Sequence, residues 1–139
     1  MREAATLAEI HRAAFATGRA WSAGEIEDLM RNPHVTLHAV PHGFALTRLV
    51  AGEAELLTLA VDPAHQRQGI ARRLMGDWLD GLKGTAETAF LEVATDNIAA
   101  HALYRDLGFA EVARRAGYYT RTNAPDVDAV IMRLALTKG

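Results

Sequence analysis

The chain has 139 residues, 50% of them hydrophobic, and no cysteine. That length supports one self-sufficient core, and the missing cysteines exclude a thiolate nucleophile, a CxxC redox pair and a cysteine-built zinc site. A formal net charge of −2, from 15 Lys+Arg against 17 Asp+Glu, gives no broad electrostatic grip on nucleic acid.

Residues 3–15 place Ala4, Leu7, Ala8, Ile10, Ala14 and Phe15 near helical spacing, which predicts an amphipathic first helix broken at Gly18. Ser22 and Glu25 have capping-box spacing and predict a second, short helix ending near Asn32-Pro33. Three strands follow, over 35–40, 44–50 and 53–61, separated by turns at Pro41-His42-Gly43 and Ala51-Gly52. From Gln68 the period changes: Ile70, Leu74, Trp78 and Leu82 lie four apart on one helical face, and Gly84 ends the run. Residues 89–93 read as a strand, and Thr95-Asp96-Asn97 as a loop leading into a helix over 99–106 that stops at Leu107-Gly108. Strands over 109–115 and 127–134 close the chain, with 117–125 between them as a long loop or imperfect hairpin. No repeat or interdomain linker interrupts residues 1–139, so the expectation is one α/β domain with a mixed sheet and a parallel crossover across 54–94. No apolar run reaches the roughly eighteen residues of a membrane span, and residues 1–20 lack a signal-peptide core, which predicts a soluble cytoplasmic protein.

The junction from Val61-Asp62-Pro63 into Gln66-Arg67-Gln68-Gly69-Ile70-Ala71 carries the strongest chemical signal. Backbone amides opening a helix, with a glycine where a side chain would obstruct, make a seat for a phosphate-bearing ligand, and Arg67 adds a cation. It is neither a P-loop nor a dinucleotide fingerprint, since GxxxxGK[ST] and GxGxxG are both absent. A bare helix start relieved by Gly69 is the plain alternative. Glu92, between Leu91 and Val93, either points to solvent or an arginine, or sits in a cleft as a general base. Tyr104 is either core packing or a proton donor reaching back across a cleft. Asn97 reads as a helix cap. His11, His34, His38, His42, His65 and His101 show no ligand spacing, so no metal site is expected. Gly117-Tyr118-Tyr119, after Arg114-Arg115, reads as a peptide-binding rim, with a plain hairpin or base stacking as alternatives.

Together these blocks resemble the GNAT acetyltransferase superfamily, and within it the bacterial ribosomal-protein-alanine N-acetyltransferases. The resemblance runs from Trp21 to Leu136 and rests on Leu57–Pro63, Gln66–Ala71, Leu91-Glu92-Val93, Asn97–Phe109 and Asp128–Met132. It implies a mixed sheet with splayed central strands and helices on both faces. It implies an acetyl-coenzyme A co-substrate held by Leu59, Ala60 and Val61, by Gln66, Arg67, Gln68, Gly69, Ile70, Ala71 and Arg72, and by Asn97. It further implies Glu92 as general base, Tyr104 as general acid, and Arg114, Tyr118 and Tyr119 as contacts to the acceptor, with no metal. The implied acceptor is the N-terminal α-amine of a protein such as a ribosomal protein, with no nucleic-acid or membrane partner. A small amine and a silent acyl-coenzyme A-binding module are the alternatives. Two departures from the pattern stand out. The family starts with a strand before the first helix, whereas this chain begins almost directly at the helix, which implies either an exposed sheet edge or a mis-set start. The subgroup's Arg-Arg-Asn-Tyr-Tyr-Pro is Arg114-Arg115-Ala116-Gly117-Tyr118-Tyr119-Thr120 here, which loses the Asn and the Pro.

Overall fold

In chain order the elements of the computed structural model are α1 (Arg2–Ala14), α2 (Ala23–Met30), β1 (Val35–Val40), β2 (Gly43–Val50), β3 (Glu53–Val61), α3 (Ile70–Gly81), β4 (Thr88–Ala94), α4 (Ile98–Asp106), β5 (Ala110–Arg121) and β6 (Ala124–Ala135). It describes residues 2–15, 20–66 and 68–136, so the expected break at Gly18 and the cation at Arg67 lie outside the described residues. The capping box forms as the spacing predicts: Glu25 N–H donates to Ser22 Oγ and Ser22 N–H donates to Glu25 Oε1, both at 3.1 Å. Among the described residues no strand precedes α1, and β1 is an edge of the sheet.

The six strands form one mixed sheet in the order β1-β2-β3-β4-β6-β5. Only β3 and β4 run parallel; the other neighbours are antiparallel. Strand alternation sends side chains to two cores. Phe44, Leu46 and Ala60 face Ala4, Leu7, Ala8 and Ile26 of α1 and α2. Ala45, Leu56, Leu91 and Val93 face Met75 and Trp78 of α3 and Tyr104 of α4. Helices therefore cover both faces, each burying an apolar stripe at the 3.6-residue period.

Two features shape the centre. Thr47 pairs with Leu56 but Leu46 with Thr58, so Leu57 is an extra residue that bulges β3. Parallel pairing of β3 with β4 runs from Glu53↔Thr88 only to Leu56↔Leu91. Beyond that point β3 keeps β2 as its neighbour and β4 keeps β6, but the two no longer pair with each other.

The last two strands are longer than the sequence predicts. Residues 117–125 are an imperfect hairpin rather than a loop, turning at Thr122-Asn123 with Asn123 at φ 59°. Opposite Asp128, between the pairs Arg115↔Ala129 and Tyr119↔Val127, the register shifts. Gly117 there adopts φ 58° and gives its N–H to Asp128 Oδ1 at 2.9 Å.

Beneath the bulge lies His11, 2% exposed. Its Nδ1 accepts the Trp21 N–H at 3.1 Å, which leaves Nε2 to donate to Thr58 Oγ1 at 3.1 Å and specifies one neutral tautomer. Phe15 and Trp21 stack on its ring, with centroids 4.3 and 5.1 Å away. His11→Ala leaves a cavity and strands the Thr58 hydroxyl, so unfolding in urea should show a loss of about 2–4 kcal/mol.

Candidate active site

Because β3 and β4 run parallel, their carboxyl ends open in the same direction, and the parted stretch is a wedge. Its apex is Leu56 and Leu91; its mouth is Val61 and Ala94. Five residues of β3, from 57 to 61, line one side, about 16 Å of strand edge. Leu59, Ala60 and Val61 lie on this edge. Ligands of open α/β sheets lodge where neighbouring strands separate at their carboxyl ends.

At the mouth, β3 passes through a tight turn at Pro63–His65 into the start of α3. Gly69 is the N-cap at φ 76°, a left-handed conformation that any Cβ disfavours, and no side chain caps the helix. The first intrahelical bond is Arg73 N–H to Gly69 O at 3.0 Å. Among the described residues no acceptor meets the N–H groups of Gly69, Ile70, Ala71 and Arg72. A Cβ built on Gly69 would meet nothing within 4 Å among the described residues, so the space beside this cap is open. Main-chain donors at the positive end of a helix are an arrangement that can hold an anion. Gln66 and Gln68 flank it, exposed.

The seat is held at a fixed height. A Cβ on Gly43, at the start of β2, would come within 2.7 Å of Ile70 Cγ2. Only glycine lets α3 approach so closely. The Arg72 side chain binds Asp106 at the end of α4 at 2.7 Å, an exposed pair, which leaves its main-chain N–H as its contribution to the seat.

At the apex, Glu92 is the first residue of β4 beyond the parallel pairing. Its neighbours Leu91 and Val93 point into the core beneath α3 and α4, so Glu92 points to the opposite face. Its side chain is 24% exposed and meets Arg115 Nη2 at 3.2 Å. Glu92 is thus paired with an arginine, on the face of the sheet turned away from α3 and α4.

Tyr104 comes from the other face. Its side chain is buried at 5% exposure and packs edge-on against Phe109, centroids 6.2 Å apart. Among the described residues its hydroxyl meets no hydrogen-bond partner, and the oxygen is not fully buried. Burial, with Tyr119 adding to it, pushes its phenol well above the ordinary value.

Tyr119 connects the two groups. Burial and the nearby Glu92 carboxylate push its phenol up to about 12, and Tyr119 in turn acts on Tyr104. Arg121 lies over its ring at 5.6 Å and clasps Asp96 with two hydrogen bonds of 2.7 and 2.8 Å. That clasp lowers the Asp96 carboxyl below the usual carboxylate range and ties the hairpin to the loop before α4. Tyr118 is 51% exposed, with Arg115 over its ring at 4.9 Å.

Arg114 and Asn97 both engage partners within the chain. Arg114 binds Glu111 at 3.0 Å. With His101 and Arg105 it lines a cavity of about 590 Å³ that includes neither Glu92, Tyr104 nor any residue of α3. Arg115, one position on, is the arginine beside Glu92. Asn97 caps α4, accepting the Ala100 N–H at 3.3 Å. The structure also gathers three possible metal ligands, His42, Asp62 and His65, that spacing in the sequence did not single out.

The profile of the Acetyltransferase (GNAT) family matches residues 9–109. The [Ribosomal protein bS18]-alanine N-acetyltransferase of Escherichia coli K12 is 42% identical over 107 residues, covering 76% of this chain and 72% of that protein. The N-alpha-acetyltransferase RimI of Mycobacterium tuberculosis is 48% identical over 81 residues, 58% of this chain and 48% of that protein. The crystal structure of the Escherichia coli ribosomal-protein-S18-alanine N-acetyltransferase superposes with a TM-score of 0.88 at 33% identity, covering 100% of this chain and 91% of that one. A Salmonella typhimurium acetyltransferase solved with acetyl-CoA shares the fold at a TM-score of 0.76 and 19% identity, covering 99% of this chain and 91% of that one. The chain belongs to the GNAT acetyltransferase family. Its activity is that of an N-acetyltransferase.

The raised phenol of Tyr104 has a measurable consequence. Its protonated form is favoured by the fold, so the stability it contributes is intact below pH 10, where an unfolded tyrosine ionises, and declines as pH rises beyond that. Tyr104→Phe should remove the most alkaline step of a spectrophotometric tyrosine titration and flatten the alkaline fall in denaturation midpoint.

Proposed function

We propose that the protein transfers the acetyl group of acetyl-CoA to the N-terminal α-amine of a protein, with a ribosomal protein of the bS18 kind as acceptor. The wedge between β3 and β4 carries this reading, because it joins a main-chain anion seat at its mouth to a carboxylate at its apex. The unpaired N–H groups from Gly69 to Arg72 and the open space above Gly69 fit a diphosphate. The unpaired strand edge from Leu57 to Val61 fits the amide-bearing arm of the coenzyme, which can complete the missing sheet hydrogen bonds. The bound co-substrate supplies the thioester; the rest falls to this chain's own residues.

Glu92 takes a proton from the incoming ammonium, directly or through water. An α-ammonium titrates near 8, against about 10.4 for lysine, so a carboxylate base has less to overcome at a protein N-terminus. Arg115 keeps the Glu92 carboxylate turned toward the hairpin, and the substrate ammonium takes over that contact. The amine forms its C–N bond at the thioester carbon while backbone donors on the wedge edge stabilise the developing oxyanion. As the C–S bond breaks, Tyr104 hydrogen-bonds the departing sulfur and passes it the phenolic proton. Its raised pKa keeps that proton in place throughout the neutral range. Tyr118 and Tyr119 form the aromatic wall of the acceptor cleft on the Glu92 side, whereas Arg114 serves the acceptor only from the α4 side of the hairpin.

A thiol-release assay with acetyl-CoA and peptides varying only in their first two residues, Ala-Arg among them, tests the reading. Turnover on free peptide N-termini is expected. Robust turnover on a small polyamine with none on any peptide would overturn the acceptor assignment. Glu92→Gln should lower kcat by about a hundredfold or more and Tyr104→Phe by about tenfold or more, with KM for acetyl-CoA little changed. Full activity in Glu92→Gln would remove the carboxylate from its role. Gly69→Ala should weaken acetyl-CoA binding by about tenfold, read by calorimetry, because its Cβ strains the left-handed cap that aims the main-chain donors.

A further inference from the structure

Three metal-ligating side chains converge where the β1–β2 turn meets the end of β3. His42, Asp62 and His65 each offer one ligand atom, and these atoms all lie within 4.8 Å of one another. The main chain holds them together independently of any ion. Asp62 N–H donates to His42 O and His65 N–H donates to Asp62 O, both at 2.8 Å. The Asp62 carboxylate accepts the Ala64 N–H through Oδ1 at 3.0 Å, which fixes its direction and leaves its second oxygen for another partner.

The two imidazoles lie face to face, centroids 3.5 Å apart and planes 7° from parallel. A face-to-face pair does not aim its ring nitrogens at one point, so binding needs one ring to turn out of the stack. His42 is exposed and His65 half-exposed, so both have room to turn. Metal–ligand bonds of about 2.0–2.2 Å put neighbouring ligand atoms roughly 3.3 Å apart, a contraction of at most about 1.5 Å from their present spacing.

We propose that His42, Asp62 and His65 form a binding site for a divalent transition-metal ion, separate from the acetyl-transfer wedge. Two imidazole nitrogens and one carboxylate oxygen suit borderline cations such as Zn²⁺ and Co²⁺ in preference to Mg²⁺ or Ca²⁺, and water completes the coordination. The site sits directly before Gln66, at the foot of the anion seat.

The test reads the metal itself, so its outcome does not depend on acetyl transfer. Untagged, chelator-stripped protein is titrated with Co²⁺, followed by its visible ligand-field absorption, and then challenged with Zn²⁺. One saturable Co²⁺ per chain, displaced by Zn²⁺, is the expected result. Three variants remove one ligand each while keeping local structure. His42→Asn retains a residue that tolerates the left-handed turn, here φ 68°. Asp62→Asn retains the cap to Ala64, and His65→Phe retains a flat ring against position 42. Each should weaken Co²⁺ binding at least tenfold with an unchanged far-ultraviolet dichroism spectrum. No saturable Co²⁺ binding by the wild type, or unaltered binding in all three folded variants, overturns the site.

Discussion

Everything distinctive about this structure follows from a sheet that stops being a sheet at its centre. Parallel pairing of β3 with β4 ends after Leu56 and Leu91, and the main-chain polar groups that face the gap beyond must find water or a ligand. Such a defect would ordinarily close, since unpaired buried amides are costly. Here it is held open from both sides. β3 stays in register with β2 through Val61, and β4 stays in register with β6 through Ala94. Each strand keeps one complete neighbour, so neither can shift toward the other without breaking a ladder. The extra residue at Leu57 adds the local twist that turns β3 away. A slot bounded by two rigid ladders is preorganised: a ligand that completes its hydrogen bonds meets donors and acceptors already in place.

The parted strands also let the two faces of the sheet act on one point. In an intact sheet, Glu92 and Tyr104 would be separated by the pleated layer, since β4 sends its odd-numbered side chains toward α4 and Glu92 the other way. At the wedge that layer is interrupted. The hairpin then brings a third group to the same place: Tyr119 acts on both Glu92 and Tyr104, and Arg121 holds it there through Asp96. In the proposed reaction, the base and the acid therefore come from opposite faces of the sheet.

Much of this was legible in the sequence, and the omissions have two causes. The element order followed from hydrophobic period, because every helix carries its stripe and every strand its turn. Gly69 stood out because a glycine at a helix start has few other uses, and its φ of 76° gives the reason. The hairpin was harder. Which of Arg114 and Arg115 faces Glu92 depends on register shifts at Glu111/Ala113 and Arg115/Tyr119, and a single extra residue exchanges the two faces of a strand. Simple alternation cannot see such a shift, though Gly117 marks where it occurs. The cluster of His42, Asp62 and His65 was hidden for a different reason. Its members lie on two turns separated by a hairpin, so no local motif contains them.

The end of β3 governs both the slot and the anion seat, and this explains why the two keep a constant relation. Val61 closes the slot edge, Asp62 ties back to the β1–β2 turn through His42 O and forward to His65 N–H, and the chain then enters the loop before Gly69. Gly43 lies on the same turn, and its missing side chain sets how near Ile70 and the start of α3 can come. The turn is therefore a common anchor for the strand edge and the helix start. In the proposed reaction, a long substrate gripped at its anionic end by α3 enters the slot at a set depth. Rotating its flexible arm costs entropy, but choosing its depth costs little, because the distance from seat to apex is built into β3 rather than into a movable loop. In the proposed reaction, the main-chain knot at Asp62 thus carries the positional information that would bring the thioester carbonyl level with Glu92.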